Sequence, residues 1–233
     1  RGDDAAQGRV HQGASTRLHP ATDIRPWDAP TCDTEWPLLC IQLDESVPLT
    51  PPRTEGLQVF VSSAAGPGDL GSWPEADGAT GLDAGDAICQ KLADSAGLEH
   101  PFRFRALLSD PTTDAVDRFP ELGPWVRGDG ALLGSTFMEL LQPVTSRPFD
   151  ETGDIIETDA REWFHQVWTG TDNSDGRANG NDQCEAWTNG TADVFTAFGN
   201  FERAGGASTS WPGYFACSNQ GRLYCVETPA GRY

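Results

Sequence analysis

The chain carries six cysteines, Cys32, Cys40, Cys89, Cys184, Cys217 and Cys225, and no two of them stand at Cys-x-x-Cys spacing. Structural zinc sites and thioredoxin-type redox motifs rely on that spacing, so both are disfavoured. An even, dispersed set reads better as paired disulfides, which persist outside the reducing cytosol. Fifteen pairings are open to six cysteines, and spacing does not choose among them. Composition shows why cross-links are needed. Only 37% of the 233 residues are strictly hydrophobic, against 26 glycines and 17 prolines, so long turn-rich stretches must be fastened by something other than a continuous apolar core.

Acidic residues number 35 and basic ones 16, a net charge of −19. This sign repels phosphate backbones and anionic lipid heads, which argues against nucleic acid as a partner. Lys91 is the single lysine, and the carboxylate excess suits a saline medium, where salt screens mutual repulsion. No run approaches the roughly 20 apolar residues that a bilayer-crossing helix needs, so no transmembrane segment is expected. The sequence opens at Arg1 without an apolar signal core, and the expectation is a leader removed or omitted.

Residues 1–56 are rich in Pro, Gly, Asp and Thr and show little periodicity beyond Leu38-Leu39-Cys40-Ile41-Gln42-Leu43. They read as an N-terminal extension, with Pro48, Pro51 and Pro52 stiffening its junction to a domain over residues 57–233. Residues 57–62 have the β-branched and aromatic content of a strand, and 66–81 that of a long loop. A helix follows: Asp83 is expected to cap it, Ala84, Ile88 and Leu92 recur at helical spacing, and Gly97 suits the left-handed position beyond its last turn. Residues 102–108 alternate as a half-buried strand does. Thr136 with Glu139 forms a capping-box pattern ahead of Leu140 and Leu141, which predicts a second short helix. Between Trp168 and Trp211 turn chemistry dominates, and residues 222–227 close the chain as an apolar strand.

In order, the distinctive segments are Val59-Phe60-Val61-Ser62, Gly85-Asp86-Ala87-Ile88-Cys89, Phe104-Arg105-Ala106-Leu107-Leu108-Ser109 and Val167-Trp168-Thr169-Gly170-Thr171-Asp172. Cys184-Glu185-Ala186-Trp187 follows, then Cys217 with Leu223-Tyr224-Cys225-Val226-Glu227. Together they resemble the endostatin-like branch of the C-type lectin-like fold, especially its bacterial secreted and lipoprotein members, over residues 57–228. The resemblance implies an α+β domain with two helices, a twisted antiparallel sheet and a long loop region. It also implies that Cys89 bridges Cys225 and Cys184 bridges Cys217, leaving Cys32 with Cys40. Trp168 and Trp187, flanking the loop, are expected to be core anchors. Cys32 and Cys40 stand eight apart, as Cys217 and Cys225 do. The N-terminal piece therefore looks like the closing strand of a similar domain, either the tail of a preceding repeat or a strand that docks on a sheet edge of this or another subunit; a fortuitous disulfide loop is the plainer alternative.

Asp172, Asn173, Asp175, Asn179, Asn181 and Asp182 concentrate hard oxygen ligands in one glycine-rich loop. They mark the expected binding loop, and calcium is a possible occupant at Asp172, Asp175 and Asp182. The pattern misses the EF-hand register, and the Glu-Pro-Asn, Gln-Pro-Asp and Trp-Asn-Asp signatures of sugar-binding C-type lectins are absent, so a turn network is the plainer expectation. Arg-Gly-Asp occurs at 1–3 and 127–129, where chance explains it in so acidic and glycine-rich a chain. Asn189-Gly190-Thr191 is a glycosylation sequon, meaningful only in a eukaryotic secretory pathway. His11, His19, His100 and His165 are scattered and do not match the zinc-holding pattern of vertebrate endostatin-like proteins.

There is no Gly-x-Ser-x-Gly elbow, His-Glu-x-x-His helix, phosphate loop or dinucleotide fingerprint, so an enzyme is not expected. The expectation is a secreted or cell-surface, non-catalytic binding or adhesion module for a protein or glycan ligand. The alternative is a structural subunit of an extracellular filament or assembly, which contacts copies of itself through the extension.

Overall fold

The computed structural model describes residues 53–119, 123–142, 149–156, 166–179, 183–201 and 215–230. The chain divides between Thr50 and Pro51, and every described residue belongs to the second unit. Cys32, Cys40 and their proposed docking strand lie outside the described residues. The Thr54 N–H donates to Gly130 O at 2.9 Å, so the folded body begins a few residues before Leu57.

The unit is α+β. Its strands are β1 (Leu57–Val61), β2 (Phe104–Ala106), β3 (Trp125–Val126), β4 (Leu132–Gly134), β5 (Gln166–Trp168), β6 (Phe195–Thr196), β7 (Phe198–Asn200), β8 (Phe215–Ala216) and β9 (Arg222–Glu227). Seven form one curled sheet in the order β4-β3-β1-β9-β5-β7, with β2 also on β9, while β6 pairs with β8 alone. β9 pairs antiparallel with β1 through Val59 to Val61 and with β2 through Phe104 to Ala106, and parallel with β5 at Val167 and Trp168.

Five of the six β9 residues are buried, because both faces of the sheet are covered. Leu223 and Cys225 point into one apolar cluster with Phe60, Ile88, Phe104 and Trp168. Tyr224 and Val226 point into another with Val59, Val61, Trp125 and Phe137. A strand buried on both faces reads as a continuous apolar run, as this one does.

The sheet is mixed rather than wholly antiparallel, since β1 with β3 and β5 with β9 run parallel. Parallel neighbours require a long crossover, and the segment holding the first helix and β2 supplies it between β1 and β3. Nothing in strand periodicity reports pairing direction. Phe102, expected inside at the start of the second strand, sits in a short 3₁₀ turn, Pro101–Arg103, and is 70% exposed. Pro101 fixes that turn and delays the strand to Phe104.

The first helix, α1 (Gly81–Ser95), buries Ala84, Ile88, Cys89 and Leu92 against the sheet. Its N-cap is Thr80, not Asp83, which lies in the first turn where its charge favours the helix dipole. Gly97 has φ +69°. The Leu98 N–H bonds Ala93 O and the Gly97 N–H bonds Asp94 O, the paired bonds of a Schellman stop. Two one-turn helices follow, α2 (Ala115–Arg118) and α3 (Phe137–Leu140). Thr136 caps α3 by accepting from the Glu139 N–H at 3.1 Å, so the predicted second helix forms, although α2 makes three.

One local feature has no counterpart in the sequence expectations. Gln183–Trp187 forms a left-handed turn, with φ of 28°, 53°, 53°, 54° and 65° on five consecutive non-glycine residues. Such backbone costs about 1–2 kcal/mol per L-residue. Glu185 is exposed in this turn, so its side chain has little packing to lose. Glu185→Gly is expected to raise stability by about 0.5–1 kcal/mol in chemical denaturation, the strain relief less the entropy of the added glycine. A loss of stability would show that the turn carries no strain.

Candidate functional site

The long loop region is held to the body by tryptophans and sulfur. Trp168 and Trp187 are fully buried with ring centroids 6.2 Å apart, as expected of core anchors. Buried indoles must spend their N–H, and both spend it on loop backbone: Trp168 Nε1 donates to Gly66 O and Trp187 Nε1 to Ser109 O, each at 2.9 Å. Cys184 bridges Cys217, and Cys89 bridges Cys225. These are the two pairs that the family resemblance implies. Gly170 (φ +57°) must be glycine, since a Cβ there would lie 2.6 Å from Gln183 Cγ and 2.8 Å from the Trp187 ring.

Under this loop runs a chain of buried hydroxyls. Thr171 Oγ1 donates to Thr169 O and lies 2.8 Å from Ser109 Oγ, which in turn accepts from the Ala115 N–H. The root of the loop is thereby tied to α2 without exposing a polar group.

The loop itself is a turn network. Asp172 Oδ1 accepts from the Ser174 N–H and hydroxyl at 2.8 and 2.7 Å. Asp175 Oδ1 accepts from the Arg177 N–H at 3.0 Å. Both are side-chain-to-backbone turns of the kind Asp favours. Asn173 O accepts from Gln142 Nε2, and the Asn179 N–H donates to Gly170 O. Asn181 and Asp182 lie outside the described residues. Among the described residues no group of three His, Cys, Asp or Glu side chains is placed to hold a metal.

Sequence reasoning missed the partner of this loop. Asp114 accepts from Arg177 Nη1 through Oδ2 at 2.7 Å and from the Ala178 N–H through Oδ1 at 2.8 Å, and the Val116 N–H donates to Gly176 O. The local signal at Asp114 is that of an N-cap, and it does occupy that position of α2, yet its side chain makes no cap bond. The carboxylate instead reaches a loop more than 60 residues away, which no short-range pattern reveals. Outward from this brace project the exposed Ser174, Asp175 and Arg177.

The Arg127-Gly128-Asp129 tripeptide occupies the turn between β3 and β4 and is closed on itself. Arg127 Nε and Nη2 donate to the two Asp129 carboxylate oxygens at 2.9 and 2.6 Å, and the guanidinium lies 4.0 Å over the Phe149 ring. Two charges that grip each other are not presented outward as an adhesion tripeptide. This bidentate pairing holds the Asp129 carboxyl well below its usual range, at about 2. Beside the turn lies a cavity of about 390 Å³ lined in part by Val59, Phe60, Phe149, Asp129 and Glu151. Its buried Glu151 is already engaged, accepting from the Ser63 N–H at 2.9 Å and from the Ser63 hydroxyl.

Of the scattered histidines only His100 is described, with Nδ1 3.6 Å from Glu227 Oε1. Burial pushes the Glu227 carboxyl up, against the pull of the Gln58 N–H, His100 and Arg103.

No family model matches the chain, and no curated protein matches it. Two buried disulfides are compatible with a secreted protein, as is the finding that, among the described residues, no helix is long and apolar enough to cross a membrane.

A carboxyl whose folded pKa is depressed stabilises the fold above its unfolded value and loses that contribution as pH falls through the folded one. Asp129→Asn is therefore expected to lower stability at pH 5 by about 0.2–1 kcal/mol, the range for a solvent-accessible pair. The difference from the parent should close as pH falls from about 3.8 toward about 2. Denaturation at both ends of this window checks it, and a pH-independent difference would refute it.

Proposed function

We propose that the protein is a secreted or cell-surface, non-catalytic binding module of the endostatin-like C-type lectin-like type, which recognises a protein or glycan ligand through the loop face at residues 172–179. The observation that carries this reading is the brace under that loop. Asp114, Val116 and Gln142 fix it from below, the Asn179 N–H ties its end to Gly170, which packs against Trp187, and Ser174, Asp175 and Arg177 face solvent. Holding an irregular loop in one shape is what a recognition surface requires, because ordering costs are then met on folding rather than on binding. Most of the carboxylates described here are committed to backbone turns or to arginines, which suits recognition better than chemistry.

The test is binding of the immobilised protein to a panel of extracellular-matrix proteins and neutral and charged glycans, followed by the S174A/D175A/R177A variant. Any ligand found should bind at least tenfold more weakly to the variant, about 1.4 kcal/mol, with the thermal midpoint lowered only as far as loss of the Arg177–Asp114 pair and of the Ser174 and Asp175 side-chain turn bonds requires. A ligand that binds the variant equally well would move the site elsewhere. Light scattering that shows a defined oligomer, lost on removal of residues 1–50, would favour the assembly subunit instead.

A further inference from the structure

We propose that Asn189–Gly190 is a self-modifying site, at which the Gly190 amide nitrogen converts Asn189 to aspartate and isoaspartate through a cyclic imide. The pair lies in irregular backbone just after the left-handed turn, and both residues are half-buried, with Thr188 and Thr191 exposed on either side. Three of the four backbone N–H groups from Thr188 to Thr191 are occupied. Those of Thr188 and Asn189 donate to Cys184 O at 3.0 and 2.9 Å, and that of Thr191 donates to Asn189 Oδ1 at 2.8 Å. The Gly190 N–H has no acceptor among the described residues, and it is the nitrogen that must attack. Glycine at this place also leaves that nitrogen without a side chain to screen it.

The remaining contact acts on the electrophile. Attack at Asn189 Cγ moves negative charge onto Oδ1, and the Thr191 N–H already points at that atom. A donor in place before charge develops lowers a barrier without reorganising during the step. Asn189 Nδ2, the leaving group, has no partner among the described residues that would hold it back.

The steps balance without any cofactor. The Gly190 nitrogen loses its proton to solvent base and bonds to Cγ. The Cγ–Nδ2 bond then breaks, and the nitrogen departs with that proton equivalent as ammonia. Water next cleaves the imide: rupture of the Cγ–N bond gives aspartate, and rupture of the bond to the Asn189 main-chain carbonyl carbon gives isoaspartate. Either product adds one negative charge next to the Cys184 turn. The isoaspartate form also inserts an extra backbone atom and so pulls Thr191 out of register.

The test is peptide mass mapping of the folded, disulfide-intact protein during incubation at mildly alkaline pH. Fragment-ion mapping should place a gain of one mass unit on residue 189, in two chromatographic forms, faster than at Asn179 of the other Asn-Gly pair and than at Asn173 and Asn219. Gly190→Ala should slow the change at least tenfold, about 1.4 kcal/mol in barrier. Thr191→Pro, which deletes the N–H at Oδ1, should slow it several-fold. If either variant fails to fold, the comparison is between native and reduced, unfolded parent protein. Conversion of Asn189 in the unfolded chain but not in the native one overturns the proposal, as does faster change at Asn173, Asn179 or Asn219.

Discussion

The disulfide between Cys89 on α1 and Cys225 on β9 closes a loop of 136 residues at the strand on which three others converge. On the chain-entropy account such a closure contributes about 5 kcal/mol, comparable with the net stability of a whole small domain. Its placement matters as much as its size. Cys225 pairs in register with Phe60 of β1 on one side and Ala106 of β2 on the other, so one covalent link fixes the helix against the sheet and the sheet against itself. With short strands of two to six residues, pairing alone would specify register weakly; both-face burial of β9 and this link specify it together.

The second disulfide does a different job. Five left-handed residues in a row cost on the order of 5–10 kcal/mol, and the turn is retained because its ends are tied. Cys184 is bonded to Cys217 across 33 residues, a closure worth about 4 kcal/mol, and Trp187 is fully buried, a contribution of about 3–5 kcal/mol judged by what truncating a buried Trp costs. These terms are of the size of the strain they oppose. The turn thus persists where the surroundings over-determine it, and its last residue, Trp187, places its indole nitrogen 2.9 Å from Ser109 O.

Much of this was legible in the residues. Strand β9, the strand at Val59 to Val61, the α1 stripe with its glycine stop and the Thr136 cap are each written in a few neighbouring residues, because each is decided by local period or local backbone geometry. The cysteine pairs followed only from family resemblance. What stayed hidden was decided at long range: the parallel joins of β1 with β3 and of β5 with β9, the brace from Asp114 to the 172–179 loop, and the left-handed turn, whose sequence Gln-Cys-Glu-Ala-Trp carries no glycine to announce it. Asp83 illustrates the intermediate case. It does sit in the first turn, but the first helical bond is accepted three residues earlier, by Thr80 O from the Ala84 N–H.

A chain with 35 acidic side chains and 16 basic ones would be expected to carry its carboxylates as a solvated field. Many of the described aspartates are instead structural parts. Asp110, Asp150 and Asp172 each cap the backbone N–H two residues on, which gives irregular segments the donors' partners that helices and sheets supply elsewhere. The arginines complete the same scheme: Arg118 clamps Asp86, Arg127 clamps Asp129 and Arg177 clamps Asp114, each using the planar guanidinium as a short cross-link. Each such pair consumes one charge of each sign, so the net charge of −19 is unchanged by them. That balance works against sulfated or phosphorylated partners and in favour of neutral or basic ones. The acidic composition and the turn-built loops therefore have one origin, since the side chain that folds the loops is also the one that sets the sign of what they can approach.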